Sequence, residues 1–336
     1  MMKKVAIVTI IDFNYGNRLQ NYALQTVLEK NGVNVETLMF EKLGIKCKIK
    51  RLIQSYLKKN RYGAFLRFNR KIHFSNFSIN SGNELPEEFE KVIAGSDQIW
   101  NIEFPGISEN CFLAFVPKEK RFSYAASFGI SIEEKYRYLE YPKLLSEFPC
   151  ISVRERSGAE MIKKLTGKQA EVVLDPVFLL DAKEWEKVAH VSKEMPTRPY
   201  IFCYFLGQYT EEYRKRVKKI AEREKCEIFV LKPGLKELEN DVGPAEFIDL
   251  IKNSVAVCAD SYHAIVFSMI FGVQSYLFNR EDNQNSMNSR FETLFELFNI
   301  KLDEDKCLNY DRESYENELK TQKSKSIDIL LRGINK

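Results

Sequence analysis

Residues 255–278, VAVCADSYHAIVFSMIFGVQSYLF, hold a complete strand–helix–strand unit. Val255–Ala259 is a continuous apolar run, short enough for a strand buried on both faces. Helical spacing takes over at Ile265, Val266, Met269 and Ile270, which predicts a helix over Ala264–Phe271, and Ser275–Phe278 reads as the next strand. Strands joined through a helix run parallel, so the unit implies an α/β sheet. His263, one of three histidines in 336 residues, stands at the corner where strand gives way to helix. Ligands of such sheets lie at that edge.

The same alternation extends along the chain. Val5–Ile11, Val33–Phe40, Val92–Ala94, Phe122–Ala126, Ile151–Arg154 and Val172–Leu174 read as strands, with helices over Leu19–Lys30 and Ser157–Leu165. A polar segment, 181–199, closes on Met195-Pro196-Thr197-Arg198-Pro199 and interrupts the pattern. Strands then resume at Tyr200–Leu206 and Glu227–Leu231, with helices at Glu211–Glu224, Pro244–Asn253 and Arg290–Phe298 and a last charged helix over about 312–332. The organisation this predicts is two Rossmann-like α/β domains facing a cleft. The first occupies 1–180, the linker 181–199, the second 200–310 and a C-terminal helix 311–336.

Composition narrows the function classes. No run reaches the roughly 18 apolar residues of a membrane span, and the N-terminus reads as a first strand, not a signal peptide. Seven scattered cysteines without a C-x-x-C pair point to reduced thiols in the cytoplasm and against a metal cage. Phosphate-loop, dinucleotide, zinc-protease and serine-hydrolase signatures are absent, and no metal is expected.

Four corners carry useful side chains: Asp12–Arg18, "AGSDQIWN" at 94–101, "SVRER" at 152–156, and the His263 corner. Each alone is also explained structurally, by turn chemistry, caps or a surface Arg154–Glu155 ion pair. Four corners opening into one cleft make a site the better reading.

These blocks resemble the polysaccharide pyruvyl transferase family. The likeness runs in order through "NYGNRLQNYALQ" (14–25), "VIAGSDQIWN" (92–101), "SYAASFG" (123–129), "ISVRER" (151–156), "VVLDPVFLL" (172–180), "VGPAEFIDLI" (242–251) and "DSYHAIVFSMIFGV" (260–273). It implies an architecture like that of GT-B glycosyltransferases. It also implies transfer of the enolpyruvyl carbons of phosphoenolpyruvate onto a sugar as a ketal, with release of phosphate. No cofactor is implied beyond phosphoenolpyruvate as donor substrate. Carried over by position, Arg154 is the anion-binding arginine and His263 the histidine of the C-terminal motif. Many members carry an arginine two places before that histidine, where this chain has Ser261.

A helix N-terminus offers unpaired N–H groups and a positive field suited to phosphate. That field disfavours a cationic imidazole until the anionic donor arrives. His263 would then protonate either the methylene carbon or the departing phosphate. Ser261 and Tyr262 flank it on the donor side, where Arg290 or Lys232 supplies the missing cation. Asn14, Asn17, Arg18, Ser96, Asp97 and Gln98 suit sugar hydroxyls on the acceptor side, with Asp97 a base for the attacking hydroxyl. A nucleotide-sugar glycosyltransferase, using Glu246 or Asp249 on a ribose, and a non-catalytic glycan-binding member are the alternatives.

Net charge is +4, yet Lys42 to Asn83 contains eleven basic and no acidic residues, leaving −7 for the rest. Ile49, Leu52, Ile53, Tyr56 and Leu57 fall at helical spacing, flanked by Lys46, Lys48, Lys50, Arg51, Lys58, Lys59 and Arg61, with Phe65 and Phe68 following. No nucleic-acid motif accompanies them. A basic amphipathic helix fits an anionic membrane surface. Such an enzyme would be cytoplasmic and peripheral on the inner membrane face, acting on a polyprenyl-diphosphate-linked glycan. A partner or oligomer surface is the other reading of 42–83.

Overall fold

In a computed structural model of this protein, residues 4–41, 45–58, 60–82, 84–129, 136, 140–232, 240–279 and 288–335 are described. Lys42, Lys59 and Asn83 of the basic segment, and 280–287 before Arg290, lie outside the described residues.

The first sheet has five parallel strands in the order β3-β2-β1-β4-β5. They are β1 (Lys4–Val8), β2 (Asn34–Met39), β3 (Phe74–Ser78), β4 (Phe89–Ala94) and β5 (Arg121–Ser123). Bridges from Phe122 to Cys150 and from Ala126 to Val153 continue the layer to a parallel pair, β6 (Ser152–Val153) and β7 (Glu171–Val172). The second sheet is also parallel, in the order β11-β10-β8-β9. Its strands are β8 (Tyr200–Tyr204), β9 (Glu227–Leu231), β10 (Ala256–Ala259) and β11 (Gln274–Leu277). Every residue of β8 and β10 is buried, which is why these strands read as unbroken apolar runs.

Each sheet reverses its strand order once, between β1 and β4 and between β8 and β10. The loops after β1, β4 and β10 carry three of the four corners and the fourth follows β6, so both switch points feed one crevice. Helix α1 (Tyr15–Lys30) begins there, with the Asn14 side chain accepting from the N–H groups of Gly16 and Asn17. The helix Tyr262–Phe271 enters from the other sheet, buried along Tyr262–Ile270 and stopped by Gly272 at φ +69°. Its own first turn contains no acidic residue.

The basic segment is less separate than its charge suggests. It forms α2 (Ile45–Leu57) and α3 (Arg61–Asn69) and then supplies β3, the edge strand of the main sheet. Arg61, expected to flank the exposed stripe, is 2% exposed. Its guanidinium lies 4.5 Å from the Tyr15 ring centroid and donates to the Lys232 carbonyl at 3.0 Å, tying α3 to the second domain. Tyr15 adds a hydrogen bond to the Val242 carbonyl (3.0 Å) and stacks on Phe247 at 4.5 Å.

The C-terminal helix, Arg312–Asn335, returns to the first sheet. Leu174 N donates to Ser326 Oγ at 3.0 Å, and Gly333 lies so close to Phe122 that a Cβ would sit 2.4 Å from its ring. The segment read as a linker is itself packed: Ala182–Glu186 is helical, with Trp185 fully buried. Among the described residues no helix is long and apolar enough to cross a membrane.

Candidate active site

Asp175 follows β7 and caps the turn Pro176–Leu179, its Oδ1 accepting from Val177 N at 3.0 Å. Its Oδ2 accepts from Arg154 Nη1 at 2.5 Å and from Ser96 Oγ at 3.2 Å, and lies 3.5 Å from His263 Nε2. One carboxylate oxygen thus joins the β4, β6 and β10 corners. Arg154 Nη2 extends the array to Ser127 Oγ (3.3 Å) and Asp97 Oδ1 (3.5 Å), and its guanidinium covers the Tyr262 ring at 4.5 Å. Glu155 Oε2 is 3.7 Å from Arg154 Nε, while Glu155 Oε1 accepts from Ser127 Oγ (2.7 Å) and Phe128 N (3.1 Å). The Arg154–Glu155 pair is buried, not a surface ion pair, at 4% and 1% exposure.

Burial alone would push the Asp175 carboxyl up. The charges of His263 and Arg154 outweigh it and hold the group well below the usual carboxylate range. Burial likewise opposes the Arg154 charge, but Asp175, Asp97, Tyr262 and Glu155 together raise its pKa. The guanidinium is already matched by carboxylates on this side.

His263 is held by backbone shape as much as by polar contacts. Asp260 fixes the corner, accepting from the N–H groups of Leu206 (2.6 Å) and Gly207 (2.8 Å) across the β8–β10 switch point. The imidazole then packs against α1 at Gly16, where a Cβ would lie 2.1 Å from His263 Nδ1. Only glycine leaves room for the ring. The opposing corner is strained: Asp97 and Gln98 have φ of +52° and +56°, a conformation L-residues adopt at a cost of order 1–3 kcal/mol. Such strain persists where the surroundings hold it, and here Gly129 lets the Gln98 side chain in against it.

Behind Arg154 and Tyr262 lies a cavity of about 320 Å³ that also exposes Arg156, Arg290 and Lys325. Among the described residues four basic side chains and one carboxylate, Asp175, line it, with Arg156 also paired to Glu296 Oε2 at 2.5 Å, so the surplus of positive charge makes this face the anion-attracting one. Among the described residues no cluster of His, Cys, Asp and Glu is placed to hold a metal ion.

A family model described as polysaccharide pyruvyl transferase matches residues 14–283, a span containing every residue of the Asp175 array. The chain belongs to the polysaccharide pyruvyl transferase family. A sequence comparison with curated proteins returns no significant match. Among solved structures, it is similar to a UDP-GlcNAc 2-epimerase from Neisseria meningitidis bound to UDP-GlcNAc. That likeness has a TM-score of 0.50 at 10% identity and covers 98% of this chain and 100% of that one. A structure from Listeria monocytogenes assigned to UDP-N-acetylglucosamine 2-epimerase aligns with a TM-score of 0.50 at 12% identity, over 98% and 90% of the two chains. The shared feature is the fold: two facing parallel α/β domains of GT-B type.

In this pyruvyl transferase family member the expected residues do not all meet at one place. Ser96, Asp97, Arg154, Tyr262 and His263 meet around Asp175. Asn14 and Asn17 stand next to them but are occupied in shaping the α1 corner: Asn14 as cap, Asn17 donating to Asp12 Oδ1 at 2.8 Å. Gln98 accepts from Asn101 Nδ2 at 2.7 Å. Ser261 is the cap residue of its helix, buried, without a side-chain capping bond. Arg290 lines the cavity behind Arg154, whereas exposed Lys232 does not. Arg18 points to a different cavity, beneath the basic segment.

Asp175, Ser127, Glu155, Gly16 and Arg156 were not singled out as site residues from the sequence. For Asp175 a signal existed: an Asp-Pro step directly after a strand, on the ligand edge of the sheet. For Gly16 none did, because Asn-Tyr-Gly-Asn reads equally as a turn.

Proposed function

We propose that this protein transfers the enolpyruvyl group of phosphoenolpyruvate to two hydroxyls of a glycan, forming a pyruvate ketal and releasing phosphate. The observation that supports it most directly is His263 fixed by Asp175 beside a cavity lined with Arg154, Arg156, Arg290 and Lys325. The donor's carboxylate and phosphate occupy the basic cavity. His263 gives a proton to the methylene carbon, and C2 becomes electrophilic. The first acceptor hydroxyl adds to C2 as its proton passes to Asp97. The second hydroxyl then displaces phosphate: its proton passes to His263, and the proton held by Asp97 leaves on the departing phosphate, so both groups return to their starting states. Glu246 and Asp249 are engaged within their own helix, with Glu246 Oε2 accepting from Gly243 N (2.9 Å) and Asp249 Oδ1 from Asn253 Nδ2 (3.0 Å). Neither lines the cavity beside Arg154.

The donor test is ligand-induced stabilisation. Phosphoenolpyruvate at about a hundred times its Kd should add about 2.7 kcal/mol, read as a rise in Tm. UDP should add nothing, and Arg290→Gln should reduce the phosphoenolpyruvate effect. A shift with UDP and none with phosphoenolpyruvate would reject the donor.

The acceptor proposed is lipid-linked, and α2 is the surface that meets the membrane. Ile49, Leu52, Ile53, Tyr56 and Leu57 are 50–73% exposed, an apolar face on a helix without carboxylates. Co-sedimentation with anionic liposomes should exceed that with neutral ones. Substituting Lys46, Lys50 and Lys58 with Gln should lower it on the order of 10²-fold, at about 1 kcal/mol per charge. Equal binding to both liposome types would remove the membrane from the proposal.

A further inference from the structure

A second cavity, of about 350 Å³, opens on the other side of the α1 N-terminus from His263. Arg18 of α1, Arg51 of α2 and Arg70 at the end of α3 line it, together with Asn69, Ser55 and Ser75, and among the described residues no acidic one does. Its remaining walls, among them Ile11, Phe13, Leu52 and Phe74, are apolar. Arg18 is the telling member. It is 2% exposed, yet its Nε and Nη1 have no hydrogen-bond partner among the described residues. Asn69 Oδ1 is likewise buried without a partner. Burial brings the Arg18 guanidinium down to about 10, against the pull of Asp12 and with the push of Arg51. A buried cation with unmet donors is costly by itself and is stabilised when an anion occupies the space. Asp12, its carboxylate neighbour, also holds Asn17 at the edge of the Asp175 array, so cavity and array share the first turn of α1.

We propose that this cavity is a subsite for the phosphate or diphosphate group of an ester whose adjoining portion is apolar. Arg18 grips the anion, Arg51 and Arg70 close over it, and the apolar walls take the group it is esterified to. The assignment deepens the acceptor side of the proposed transfer: an acceptor anchored here by its phosphate would present its sugar hydroxyls toward Asp97. It gives two arginines of 42–83, Arg51 and Arg70, a role inside the fold.

The test uses calorimetry on the full chain with inorganic pyrophosphate and with monomeric dodecyl phosphate, each with and without saturating phosphoenolpyruvate. Both probes should bind, and phosphoenolpyruvate should not displace them. Arg18→Met should weaken both roughly ten- to a hundred-fold, the loss expected for a charge-assisted bond. Because Arg18 is buried, the paired variant Arg51→Gln with Arg70→Gln, at two exposed positions, provides the same test without risk to folding and should weaken both probes at least ten-fold. Dodecyl phosphate should bind more tightly than inorganic phosphate, titrated as the apolar-free control; equal affinity would overturn the apolar half of the proposal. Displacement by phosphoenolpyruvate would place the probes in the donor cavity and overturn it entirely. So would unchanged affinity in these variants, or no binding at millimolar probe. Donor binding is read separately by the Tm shift, so a failure here leaves the transfer reading standing or falling alone.

Discussion

Asp175→Ala is expected to lower the free energy of unfolding by about 3–5 kcal/mol, the cost of stranding a buried ion-pair partner. The carboxylate touches Arg154, Ser96, His263 and Val177 N, and its removal leaves the buried guanidinium with the longer carboxylate contacts to Asp97 and Glu155 and the Ser127 hydrogen bond. Urea denaturation reads the effect as a fall in midpoint at unchanged slope. The pH dependence has a definite sign. The folded-state pKa of Asp175 is depressed, so its contribution is fully present above the unfolded value, about 3.9, and is lost as pH falls through the lower folded value. Asp175→Asn should therefore differ from the parent by a constant amount from neutrality down to about pH 4 and converge on it only as pH falls further, through the folded value. A difference that stays constant through that further fall would show that the array is not held by this charge.

His263→Ala is expected to lower kcat for ketal formation by roughly 10²–10⁴, the range for a lost general acid, with KM for phosphoenolpyruvate changed little. Gly16→Ala provides the partner measurement. Its Cβ would meet the imidazole at 2.1 Å, and displacing a catalytic group by about 1 Å can cost ~10²-fold. The clash is with the ring itself, so adding Gly16→Ala to His263→Ala should cost almost nothing further. A double-mutant cycle would show this as strong non-additivity. Additive losses would mean that Gly16 acts on something other than the histidine. Undiminished turnover in His263→Ala would remove the imidazole from the chemistry.

The fold was legible because parallel, doubly buried strands leave a strong mark. Strand β8, buried throughout, lies within the apolar run Tyr200–Leu206, and helix Glu211–Glu224 lies where its pattern places it. The edge strand β3, Phe-Ser-Asn-Phe-Ser, has no β-branched residue and three polar side chains of five, so it passed as part of a helical insert. The helix in which α3 ties the domains together was masked for a related reason. Arg61 looks like one more surface charge until Tyr15 and the Lys232 carbonyl are brought to it from 46 and 171 residues away, of which the second separation is fixed only by the fold.

At the site, the chain alone determined which corners carry chemistry: a histidine at a strand-to-helix turn, a Ser-Asp pair after β4, an arginine after β6. Those follow from local pattern, since strand ends and helix starts are set by neighbours in sequence. Tertiary structure decided what the corners do to one another. It put Asp175 at their centre and matched Arg154 with carboxylates, which moves the anion-attracting face to the cavity shared with Arg156 and Arg290. It also made Gly16 a requirement of a ring 247 positions later in the chain and turned Arg18 into a separate cavity. The physical reason is range. Backbone pattern is written within a few residues, whereas desolvation, ion pairing and steric room depend on groups that meet only when both sheets have folded.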